Sequence, residues 1–126
     1  MAEIKVAKSA GFCFGVDRAV KLVYGELEKG NKSVATLGPI IHNADVVNDL
    51  TDKGVRIADS VDDLKEGEKA VIRSHGVGKK IYEGLDQKGN TYIDATCPFV
   101  ARIHKIVREK TEEGYFCLLY TSDAAD

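Results

Sequence analysis

Long apolar runs are missing from this sequence. Its opening, MAEIKVAKSAGFCFGV, holds no stretch long enough for a secretory signal or a membrane span, so a cytoplasmic protein with no membrane partner is expected. An excess of one charge is missing as well. The 18 Lys and Arg face 20 Asp and Glu, for a formal net charge of −2 with no long run of either sign, which leaves no electrostatic footprint for nucleic acid. Cysteine is scarce: Cys13, Cys97 and Cys117 are too few and too scattered to frame a small secreted disulfide domain. In a reducing compartment such thiols serve packing, metal binding or catalysis, and local context has to separate these roles. Nor does an internal repeat, low-complexity tract or obvious linker occur before Gly114. What remains is a globular chain of 126 residues, 44% hydrophobic, enough for one compact domain or one domain with the beginning of another.

Short β-like runs alternate with stretches of helical periodicity, which predicts an α/β fold with a mainly parallel sheet flanked by helices. Residues 4–7 read as a first strand. After a glycine-rich turn, Val16, Ala19, Val20, Val23 and Leu27 fall on one helical face, and Gly30 ends that helix. Val34–Leu37 reads as a strand, followed by a helix that starts near Asn43, buries Val46, Val47 and Leu50, and closes at Gly54. Strands at residues 55–57 and 70–73 come next, then a helix over about 78–87 and a strand at 91–94. The last helix opens at Pro98, where a missing N–H costs nothing, runs to about Glu113 and buries Val100, Ile103 and Val107.

Four residues stand out by position. Cys13, His42, His75 and Cys97 each follow a predicted strand and precede or adjoin the next helix, so all four are expected at one edge of the sheet, where α/β domains bind ligands. Glycines flank Cys13 in Gly11-Phe12-Cys13-Phe14-Gly15 and let the backbone turn tightly against a bulky ligand, which a packing cysteine does not need. At a helix entrance, exposed N–H groups favour a thiolate and can bond to cluster sulfur. Cys97, between Thr96 and Pro98, has the same setting. His75, in Ser74-His75-Gly76-Val77, and His42, in Pro39-Ile40-Ile41-His42-Asn43, are suited to donate hydrogen bonds to an anion. Either histidine alone fits an ordinary surface loop; the pair at matching positions favours a site. His104 shares the predicted buried stripe of the last helix and reads as structural. Arg73 and Asp94, at strand ends, read as loop anchors with a site role open.

GFCFGVDRA around Cys13, IIHN around His42, SHGV around His75 and DATCP around Cys97, in this order, resemble the motifs of the 4-hydroxy-3-methylbut-2-enyl diphosphate reductase family. The resemblance runs from about Ile4 to Gly114. It implies that the chain is the N-terminal part of a monomeric, three-lobed α/β reductase of isoprenoid synthesis. Residues 1–13 would lead to the first cluster cysteine, 14–96 form the first lobe, and 97–114 open the second. Cys13 and Cys97 would be two of three cysteine ligands of a [4Fe–4S] cluster, and His42 and His75 would contact the substrate diphosphate. Ferredoxin or flavodoxin would deliver electrons, and the hydroxyl would leave as water, giving isopentenyl and dimethylallyl diphosphates.

The family's third cysteine ligand and proton-donating glutamate lie beyond this chain, so no catalytic residue is expected within it, and a truncated, inactive piece is the expectation. Cys117 stands in YFCLLYTSDAAD, which does not look like the family, and is not counted as a ligand. The end of that segment resembles translated sequencing-adapter sequence, and residues 115–126 are read as foreign. Two rival readings remain. One is a zinc module with Cys13, His42, His75 and Cys97 as ligands, although their wide spacing, one per β/α unit, is unlike that of structural zinc sites. The other is a plain phosphate-binding α/β domain, which leaves both cysteines unexplained.

Overall fold

The computed structural model describes residues 1–119. Four strands, β1 (Val34–Leu37), β2 (Arg56–Ala58), β3 (Lys69–Ile72) and β4 (Tyr92–Asp94), pair in the order β2-β1-β3-β4. Every pairing is parallel. The helices are α1 (Phe14–Glu28), α2 (Ala44–Asp52), α3 (Lys79–Lys88) and α4 (Pro98–Glu112), with a short 3-10 turn at Val61–Asp63. The predicted α/β class with a parallel sheet is what forms. Among the described residues no helix is long and apolar enough to cross a membrane.

The central strands are near-continuous apolar runs because both faces of the sheet are covered. Side chains alternate across it. Val34 of β1 and Val71 of β3 join Ala19 and Val23 of α1 and Leu50 of α2 in one layer. Ala35, Leu37, Ala70 and Ile72 pack on the other face with Val61, Leu64 and Leu85 of α3. The helices that follow β1 and β3 therefore lie on opposite faces, and the chain reverses direction between these two neighbouring strands. That reversal sets the loops leaving their carboxyl ends side by side, the position at which open α/β sheets take ligands.

Local signals place the helix starts. Asn43 caps α2, its side-chain oxygen accepting from the Val46 N–H at 3.1 Å. Pro98 occupies the first turn of α4, as its fixed φ favours.

Two expectations fail. Residues 4–7 form no strand, and Ile4 and Val6 are 90% and 79% exposed. A period-2 pattern yields a strand only when a neighbouring strand completes the ladder, and no described strand pairs with this segment. The second failure concerns α4, none of whose residues is buried: Val100 and Val107 are half-covered, and Ile103 is 48% exposed. Its apolar stripe is real, but no described element covers it. His104 is accordingly not the core histidine expected. It is exposed, with its ring lying over Gly76, where a side-chain carbon would come within 2.9 Å of Cε1.

Candidate functional site

Both predicted ligand cysteines are N-caps. Cys13 precedes α1 and Cys97 precedes α4, and neither side chain spends its sulfur on capping the helix. The two helix starts converge. Gly15, in the first turn of α1, is buried against Cys97, so closely that an added Cβ would stand 2.4 Å from Sγ. Phe14 and Phe99 meet edge to face with ring centroids 6.2 Å apart, and the Arg18 guanidinium donates to the Thr96 carbonyl at 3.2 Å. Cys13 thus reaches the carboxyl edge of the sheet without a preceding strand, because α1 runs back against the strand direction and ends where β1 begins. The glycines around it divide the work. Gly11 turns the chain at a φ of +131°, and Gly15 makes room for the second thiol.

The Cys97 loop is tied down at its base. Asp94 Oδ1 accepts from the Thr96 N–H at 3.0 Å and from the Thr96 hydroxyl at 2.5 Å, while Tyr82 donates to Oδ2 at 2.7 Å. Burial works to raise the Asp94 carboxyl. The hydrogen bonds from Thr96 and Tyr82, with the nearby Arg18 charge, outweigh it and hold Asp94 below the usual carboxylate range. Asp94 is therefore a loop anchor, one of the two roles its position suggested. The Cys97 N–H donates to the Ser74 carbonyl at 2.8 Å, which joins the cysteine loop to the SHGV loop.

His42 and His75 come together on the loops that follow the neighbouring strands β1 and β3. Their rings stack with centroids 4.8 Å apart and planes 9° from parallel. Buried Ile40 and Ile41 anchor the first loop, and the Ser74 N–H donates to the Ile40 carbonyl at 3.3 Å, linking it to the second. His75 holds its proton less firmly than an ordinary histidine, chiefly through partial burial, then through the charges of His42 and Arg73. Neutral, it keeps one ring N–H to donate and an exposed face toward solvent.

The four predicted residues thus fall into two pairs, cysteines at joined helix starts and histidines at the strand-order reversal. Among the described residues, no three His, Cys, Asp or Glu side chains converge on one metal position. A closed Cys₂His₂ zinc centre is not what they form. The donor chemistry of the cysteine pair fits a partly protein-held cluster: both sulfurs are free of capping bonds, and Gly15 at the start of α1 packs against the Cys97 side chain at the start of α4. Sequence reasoning passed over the Phe14–Phe99 contact, whose only signal is an aromatic one residue after Cys13 and two residues after Cys97.

Fold and site define the class as a parallel α/β domain that presents paired cysteines and paired histidines on loops at the carboxyl edge of its sheet. The chain belongs to the LytB protein family, whose sequence model matches residues 4–124. It is 49% identical over 120 residues to the 4-hydroxy-3-methylbut-2-enyl diphosphate reductase of Thermoanaerobacter sp. (strain X514), covering 93% of this chain and 42% of that protein. The reductase of the same name from Aquifex aeolicus (strain VF5) is 48% identical over 119 residues, 94% of this chain and 41% of its own length. Among solved structures, one of (E)-4-hydroxy-3-methyl-but-2-enyl diphosphate reductase, the terminal enzyme of the non-mevalonate pathway, is similar at a TM-score of 0.75 and 48% identity, covering 92% of this chain and 41% of that one. The Plasmodium falciparum E-1-hydroxy-2-methyl-but-2-enyl-4-diphosphate reductase superposes at 0.81 with 31% identity, covering 86% and 34%. The chain spans about two fifths of the length of the curated relatives it matches.

Proposed function

We propose that this chain is the first lobe, residues 14–96, and the opening helix of the second lobe of an iron–sulfur enzyme. That enzyme reductively removes the hydroxyl of 4-hydroxy-3-methylbut-2-enyl diphosphate to give isopentenyl and dimethylallyl diphosphates. The observation that carries the proposal is the convergence of Cys13 and Cys97 on two adjacent helix N-termini, with Gly15 seated against Cys97. Their thiolates would hold two corners of a [4Fe–4S] cluster, the third cysteine coming from the remainder of a full-length parent. When bound, the cluster would relay the two electrons of the reduction, one at a time, from the external donor, and with three protein thiolates it would keep one iron open to substrate.

The chain's own residues do the rest of the work assigned to this lobe. His42 and His75 donate N–H bonds to the diphosphate at the strand-order reversal, and the N-terminus of α2 adds further backbone donors beside His42. Asp94, Thr96 and Tyr82 fix the loop that carries Cys97. The Cys97-to-Ser74 bond keeps the cysteine and histidine loops in one register, so that diphosphate held by the histidines points its other end toward the cluster. Ferredoxin or flavodoxin is the proposed electron donor, and a monomer the proposed state.

The test is turnover by a full-length parent reconstituted anaerobically and supplied with a chemical reductant. We expect both products from the wild type and less than about 1% of that rate from His42→Ala combined with His75→Ala, the loss of two charge-assisted anion contacts. Unchanged kcat and KM in that double variant would remove the histidines from the site.

A further inference from the structure

The geometry points to Arg73 as the positioning residue of the histidine pair: its side chain braces the two loops that carry His42 and His75. This rests on the reading of those histidines as anion ligands. Arg73 leaves the carboxyl end of β3 directly beside Gly38, which leaves the end of β1, so the two residues face each other across the strand-order reversal. The guanidinium packs against Gly38 so closely that a Cβ there would stand 2.9 Å from Nη1 and displace it. Gly38 also holds a φ of +73°, a conformation that disfavours any side chain there. On its other side, Arg73 Nε makes a long hydrogen bond of 3.5 Å to the Gly76 carbonyl, one residue beyond His75. The Gly76 N–H in turn donates to the Arg73 carbonyl at 3.0 Å, closing a tight turn with His75 near its tip.

Arg73 is thus in contact with both histidine loops, reaching the first by packing and the second by hydrogen bonds. It is half-buried and has no carboxylate partner among the described residues. A rigid, planar guanidinium suits a brace between two backbone segments better than a flexible ammonium does.

The experiment uses the full chain labelled at histidine, reading the cross-relaxation between the His42 and His75 rings and the affinity for inorganic pyrophosphate. Arg73→Met is expected to abolish the inter-ring signal and weaken pyrophosphate about tenfold, the worth of one misaligned charge-assisted bond. Arg73→Lys, which keeps the charge but not the fork, is expected to restore neither. Gly38→Ala, which pushes on Nη1 with Arg73 intact, should reproduce the loss of the inter-ring signal and decides the matter if Arg73→Met does not fold. Full restoration by lysine, or an unchanged inter-ring signal in Arg73→Lys and Gly38→Ala, overturns the inference. If the wild type ignores pyrophosphate yet the variants lose the ring contact, the brace stands and the anion reading falls; if the wild type binds and the variants keep both signals, the reverse holds.

Discussion

At the scale of single residues, the chain separates the edge of the sheet that carries the candidate site from a structural one. Cysteines and histidines gather at the carboxyl ends of the strands. At the opposite end Glu26 is 4% exposed and accepts from Lys69, Asn31 and Lys29 at 3.0–3.2 Å. Those hydrogen bonds, Lys69 first, pull its carboxyl down from 4.5 to about 2 against the opposing effect of burial. A depressed folded-state value means that the ionised carboxylate stabilises the fold above the unfolded value of 4.5, and that this contribution is lost as pH falls toward 2. Urea unfolding at a series of pH values should therefore show wild-type stability dropping between about pH 4.5 and pH 2, with a shallower drop in Glu26→Gln. Parallel slopes in the two proteins would contradict this account. The candidate site residues were legible in the sequence because each sits in a short local motif. Gly15 was legible only in part, since its glycine signalled close approach but not that the approaching atom belongs to Cys97.

At the scale of elements, propensity and capping fixed what packing then used. α2 begins after its Asn43 cap and α4 at Pro98, each where the local chemistry predicts. α3 has one fully buried residue, Leu85, which joins it to Ala70 and Ile72 of β3 across the second core layer. Leu85→Ala should cost about 2–5 kcal/mol, measured as a shift in the denaturant midpoint at constant slope. A cost near zero would mean that α3 is held by surface contacts instead. Residues 4–7 and α4 mark the limit of sequence reading at this scale. Both carry correct patterns, alternating for the one and helical for the other. A pattern states which face is apolar, but the presence of a covering surface depends on the rest of the fold, and Ile4, Val6, Ile103 and Ile106 have none among the described residues.

At the scale of the whole molecule, the strand order β2-β1-β3-β4 does what no single motif could announce. It sends α2 and α3 to opposite faces and sets side by side the loops on which His42 and His75 stack, while Gly15 at the start of α1, two residues after Cys13, packs against Cys97 at the start of α4. The parallel α/β class followed from alternating periodicity; the division of four site residues into two pairs followed only from topology, because pairing depends on which strands are neighbours. About two fifths of the relatives' length is enough to assemble both pairs. The measurement that bears most directly on the proposed role of the cysteine pair is the iron and acid-labile sulfide content of an anaerobically purified full-length parent, compared with its Cys13→Ser and Cys97→Ser variants. The proposal predicts iron and sulfide in the proportions of a [4Fe–4S] cluster in the wild type and loss of the intact cluster in each variant. Stoichiometric zinc without iron, or a full cluster retained in both variants, would contradict it.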